Sequence, residues 1–116
     1  PEAEITVLSV IDPTEMGYGS MEAAPSTFDR LREAAEERAD RVLGDARSMA
    51  AEHGIEVTTE TVIGVPSREI VEWAEEHDVD GVVLGSHGRE GVTRVLLGSV
   101  AESVVRRSPV PVTVVR

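Results

Sequence analysis

Apolar and polar residues along this chain follow two alternating rhythms, and each change of rhythm marks a predicted element. "EITVLSVID" (Glu4 to Asp12) is rich in β-branched residues and almost continuously apolar. That is the pattern of a strand buried on both faces, as in a parallel sheet. "PTEMGYGSMEAAP" (Pro13 to Pro25) breaks the pattern with turn-forming residues and reads as a long mobile loop. From Ser26 to Gly54 the period becomes helical, with Leu31, Ala35, Val42, Ala46 and Met49 as an apolar stripe among Asp, Glu and Arg. Ser26 with Asp29 resembles a capping pair, and Gly54 supplies the stop. Ile55 to Gly64 alternates as a half-buried strand does. Pro66 to Val79 reads as a short helix led by Pro66, packing through Ile70, Val71, Trp73 and Ala74. "VDGVVLG" (Val79 to Gly85) is the next strand, "SVAESVVRRS" (Ser99 to Ser108) the last helix and "VPVTVVR" (Val110 to Arg116) the last strand.

The order is β-α-β-α-β-α-β, without internal repeat or low-complexity tract. It predicts an α/β fold, an open and mostly parallel sheet with helices on both faces, as one domain over residues 1–116.

Composition narrows the function classes. Apolar residues are 41% and charged residues 28%, as in soluble globular domains. Cysteine is absent, which excludes disulfides and thiolate metal sites. No apolar run approaches the roughly 20 residues that span a bilayer and no signal peptide is visible, so the cytoplasm is the expected location. The net charge is −11, and every basic residue other than histidine is Arg. Such a surface repels nucleic acid and anionic membranes. It has two readings, simple solubility and adaptation to high salt, where self-repulsion is screened. The chain begins at Pro1, and an apolar strand pattern starts almost at once. The expectation is a chain that starts partway into a domain.

The chemistry concentrates in "GSHGREGVTRVLLGS", Gly85 to Ser99, between a predicted strand and a predicted helix. In open α/β sheets, ligands bind beyond the C-terminal ends of strands. Glycine lets the backbone approach a ligand closely. Ser99 opens a helix, where free N–H groups and the dipole favour an anion, with phosphate the natural candidate. Bland readings stand beside these: Gly85 ends a strand, and Ser99 with Glu102 fits an S-x-x-E capping box. The segment is not a Walker loop, since the chain has no Lys, and its G-x-x-G-x-x-G spacing is not the dinucleotide fingerprint.

Gly85, Gly88, Gly98 and Ser99 match G-x2-G-x9-G-S/T position by position. In this the segment resembles the nucleotide-binding signature of the universal stress protein family. "GVPSREIVEWAEEHDVDGVVLGSHG", "LLGSVAESVVRRSPVPVTVV" and "ITVLSVID" look like further regions of that family, so the resemblance covers essentially the whole chain. It implies a Rossmann-like fold of the adenine nucleotide alpha hydrolase type, and ATP as ligand, with or without Mg²⁺. Carried over, Gly85 and Gly88 would lie against ribose and phosphates, and Gly98, Ser99 and the Val100 amide would hold phosphates at the helix start. Val10 would touch the adenine, with Asp12 and Leu84 as further residues at the same rim. The resemblance also implies an earlier strand and helix, the strand central in the sheet, that this chain lacks; ATP binding by the chain is expected to depend on that strand.

Other candidates carry two readings each. His53 and His77 end helices, where a favourable dipole interaction explains them. His87 faces either a phosphate or solvent, and Arg89 and Arg94 either offset the repulsion of ATP or are ordinary surface charges. No nucleophile–base pair, H-E-x-x-H motif or Asp-rich metal cluster is present, so no catalytic or metal residue is assigned. The reading is a nucleotide-binding stress-response module. Its alternatives are a slow ATP hydrolase or nucleotidyl-transfer enzyme on the same scaffold, and a dimeric scaffold without nucleotide. The last strand is too apolar for an open edge, which predicts a homodimer through Val110 to Val115.

Overall fold

A computed structural model describes residues 3–17, 25–86 and 98–116. Its elements run β1 (Ile5–Ile11), a 3-10 turn (Pro13–Met16), α1 (Pro25–Glu52), β2 (Val57–Ile63), α2 (Pro66–Glu76), β3 (Val82–Gly85), α3 (Ser99–Arg107) and β4 (Val112–Val115). This is the α/β alternation that the apolar pattern predicts, with parallel strands in open sheets. The chain divides into two compact units, Pro1–Val65 and Pro66–Arg116.

In the first unit β1 and β2 pair in parallel from Ile5↔Val57 to Ile11↔Ile63. Helix α1 packs on this pair. Ile11, Met16, Ala35 and Ala39 form a buried cluster, and Leu43 continues the buried face of α1. Alanine at 35 and 39 puts the helix backbone close to the strands. The expected stripe needs correction. Leu31, Val42 and Met49 are exposed, Met49 by 64%. The face that packs is turned by roughly 70° around the axis from those three, at about 100° per residue. Apolar spacing alone cannot separate two adjacent stripes when alanine, mildly apolar, fills one of them. The start differs too: α1 begins at Pro25, Ser26 lies inside it, and Asp29 pairs with Arg32 at 2.9 Å rather than closing a cap. The end is as expected, with Gly54 left-handed at φ 69.

The opening of the expected loop is ordered. Asp12 caps the 3-10 turn, and Met16 inserts into the core. Gly17 ends the turn at φ 87, a left-handed angle that L side chains adopt with strain.

In the second unit β3 and β4 pair in parallel from Val82↔Val112 to Gly85↔Val115. Helices α2 and α3 pack together, burying Val71, Ala74, Ala101 and Val104. His53 and His77 each donate from Nδ1 to the carbonyl four residues earlier, Met49 at 3.0 Å and Trp73 at 2.9 Å. Both therefore satisfy a helix-end carbonyl, as their positions suggest. Among the described residues the strands form two separate pairs, where one sheet was expected. A run of valines specifies a strand and its burial but not its neighbour, so pairing is the part the apolar pattern leaves open. No described helix is long and apolar enough to cross a membrane.

Candidate functional site

The C-terminal end of β3 lies beside the start of α3. Ser86, just beyond β3, is 4% exposed. Its backbone N–H donates to the Val115 carbonyl at 2.7 Å, and its carbonyl accepts the Gly98 N–H at 2.6 Å. One residue thus ties the strand end to β4 on one side and to the first residue of the helix entry on the other. Gly85 and Gly98, far apart in sequence, become neighbours of one hydrogen-bonded junction. His87, Gly88, Arg89 and Arg94 lie outside the described residues.

The entry to α3 is bare of side-chain capping. Gly98 is the N-cap, extended at φ −65 and ψ 162, with no side-chain cap hydrogen bond. The Ser99–Glu102 capping box, the bland reading of Ser99, does not form: Ser99 is the first helical residue, one position too late, and Glu102 pairs with Arg106 at 2.6 Å. The first intrahelical bond runs from the Glu102 N–H to the Gly98 carbonyl at 2.9 Å. The amides of Ser99, Val100 and Ala101 precede it, so the helix itself provides them no acceptor. Ser99 is exposed and Val100 half-buried. Three amides, a hydroxyl and the positive end of the dipole suit an anion.

Leu84 is half-buried in β3, opposite Val114. The bonds from Val82 N–H to the Pro111 carbonyl and from Ser86 N–H to the Val115 carbonyl turn alternate residues of β3 toward β4. Leu84 shares that orientation, so its backbone is committed to the ladder, whereas Gly85 turns its amide and carbonyl to the other edge. The same geometry holds at β1. The Ile11 carbonyl accepts the Gly64 N–H at 3.0 Å, so Ile11 turns to β2. Val10, half-buried, turns its N–H and C=O to the opposite edge.

Beyond Val10 the chain is held by polar side chains. The Asp12 carboxylate accepts from the Thr14 N–H and Oγ1, each at 2.9 Å. Glu15 Oε2 accepts the Asp12 N–H at 2.9 Å, and Glu15 Oε1 accepts from Arg38 Nη2 at 3.0 Å. The Asp12 side chain thus caps its own turn through Oδ1. Ser86, Glu15 and Arg38 were not singled out by sequence. "DPTE" is a D-x-x-E capping signature that could have flagged Glu15; nothing local marks Arg38, which arrives 23 residues later. Among the described residues no group of three His, Asp or Glu could hold a metal.

Comparison with known proteins places these features in a lineage. The model of the universal stress protein family matches residues 1–116. Universal stress protein MJ0531 of Methanocaldococcus jannaschii is 36% identical over 116 residues, a match covering 99% of this chain and 66% of that protein. The chain thus spans slightly less than two thirds of that relative. Among solved structures, MJ0577, a universal stress protein of the same archaeon, superposes with a TM-score of 0.83 at 32% identity, covering 99% of this chain and 76% of that one. The universal stress protein UspA of Lactobacillus plantarum superposes with a TM-score of 0.77 at 28% identity, covering 98% and 78%.

Proposed function

We propose a function on the premise that the chain belongs to the universal stress protein family: it is a homodimeric, cytoplasmic module that binds ATP and regulates through its bound state. The observation that carries this reading is the junction at the end of β3. The 2.6 Å bond from the Gly98 N–H to the Ser86 carbonyl draws the two ends of the glycine segment together, beside a helix start whose amides have no side-chain cap. The missing capping box removes the bland explanation of Ser99. Its hydroxyl and the amides of Ser99, Val100 and Ala101 would bind the phosphates, with Gly98 leaving room for them. Gly85 and Gly88 would lie along ribose and phosphate, with His87 and Arg89 on the phosphate side.

In the first unit, Val10 offers an N–H and a C=O on one strand edge. That pair matches the acceptor N1 and the amino group at C6 of adenine, and mismatches guanine, which presents the reverse polarity. Mg²⁺ would arrive with the nucleotide. The acidic surface fits a halophilic setting.

Calorimetric titration with ATP tests the reading. Gly98→Val places a branched side chain where phosphate would lie, and its backbone angles are open to any residue, so the substitution adds no backbone strain. Binding is expected to be lost while the circular dichroism spectrum stays native. Unchanged affinity in this folded variant would remove the assignment.

A further inference from the structure

We propose that Glu15 and Arg38 are positioning residues that set base selectivity at the Val10 strand edge. The inference rests on the nucleotide reading above and assigns a task to residues that reading leaves out. Selectivity through a strand edge depends on the orientation of the peptide planes that carry the donor and acceptor. The Val10 carbonyl lies in the plane between Val10 and Ile11, and the next plane along, between Ile11 and Asp12, is pinned at both ends: its carbonyl accepts the Gly64 N–H at 3.0 Å, and its N–H donates to Glu15 Oε2 at 2.9 Å. The first contact belongs to the β1–β2 ladder. The second is a side chain that folds back across a 3-10 turn, and it is held in turn by Arg38 Nη2 at 3.0 Å from the middle of α1.

Glu15 is therefore a two-ended clamp between the strand end and the helix packed on it. The pair is part-buried, the side chains 38% and 23% exposed for Arg38 and Glu15. Burial distinguishes it from the solvent-exposed pairs Asp29–Arg32 and Glu102–Arg106, which are worth little. Arg38 Nε is also buried, with no hydrogen-bond partner among the described residues, a cost that a merely solubilising arginine does not carry. With the clamp in place, Val10 meets adenine with donor to acceptor and acceptor to donor. Guanine would set like polarity against like, which a buried hydrogen-bonding site rejects. Without the clamp the strand end rotates and the edge loses its polarity match.

The experiment titrates the full-length protein with ATP, GTP and inorganic tripolyphosphate, the last carrying phosphates but no base. Wild type is compared with Glu15→Ala, Arg38→Met and Arg38→Lys, each with a thermal melt. Wild type is expected to prefer ATP. In Glu15→Ala and Arg38→Met the ATP-to-GTP affinity ratio is expected to fall by about tenfold, tripolyphosphate affinity to stay unchanged, and Arg38→Lys to recover part of the ratio. If Glu15→Ala does not fold, Glu15→Gln keeps an acceptor for the Asp12 N–H but loses the ion pair, and its ratio is expected to fall less. An unchanged ratio in folded variants overturns the proposal, as does a parallel loss for all three ligands, which marks a purely structural role. A wild type that binds tripolyphosphate without preferring ATP overturns the base-edge reading and this proposal with it, and one that binds none of the three overturns the nucleotide reading itself.

Discussion

Ser99 illustrates how much one backbone position decides. As N-cap it would have been a stability residue whose loss costs about 1 kcal/mol. As the first helical residue, without a cap bond, it contributes little to the fold. Ser99→Ala is therefore expected to leave the melting temperature unchanged and to weaken ATP binding, read by calorimetry and a parallel thermal melt. Lost stability with unchanged affinity would reverse the assignment. Two glycines make a contrasting pair. Gly17 sits at φ 87, and a Cβ there would come within 2.9 Å of Leu31 and Phe28 side-chain atoms. Gly17→Ala should destabilise by about 1–2 kcal/mol. Gly44 lies inside α1, and a Cβ there meets nothing within 4 Å. Gly44→Ala should stabilise by about 1 kcal/mol, since alanine is the better helix former. Urea titrations of both read the two signs. Sequence spacing placed Ser99 at the helix opening but left its role as a cap open, because S-x-x-E has the same appearance whether the serine is the cap or the first helical residue.

Among the elements, β4 carries the plainest liability. It ends in apolar residues, Val115 is 53% exposed, and β3 is its sole partner among the described residues. In the β3–β4 register Pro111 and Val115 turn their carbonyls to β3. Val112 and Val114 accordingly turn theirs to the other edge, where the proposed homodimer would pair the two copies. Placing Asp at both Val112 and Val114 is expected to yield monomers or insoluble protein, and light scattering that reports an intact dimer would rule out this interface. Every predicted helix and strand is present in the predicted order, because β-branched runs and 3.6-residue periods are local signals. The elements that were misread depend on distant partners. The 3-10 turn after Asp12 is stabilised partly by Arg38, and the buried face of α1 is chosen by the strands beneath it rather than by its own strongest stripe.

At the scale of the whole molecule, charge is the dominant quantity. The 22 acidic residues against 11 basic ones leave −11, and no strongly buried ion pair among the described residues offsets it. Self-repulsion should weaken as the Debye length shrinks from about 10 Å at 0.1 M salt to about 3 Å at 1 M. The melting temperature is expected to rise steeply with KCl, and a flat dependence would remove the halophilic reading. The charge balance was fully legible in the composition; the division into two compact units was not, since no linker-like stretch marks position 65. That division turns the chain's single tryptophan into a built-in optical probe. Trp73 lies in α2 of the second unit, its ring stacked on His77 with centroids 3.8 Å apart. The 28-residue helix α1, the largest source of helical dichroism, belongs to the first. Fluorescence therefore follows one unit and far-ultraviolet dichroism chiefly the other. The gap between their denaturation midpoints measures, without any substitution, how far the two halves unfold as one.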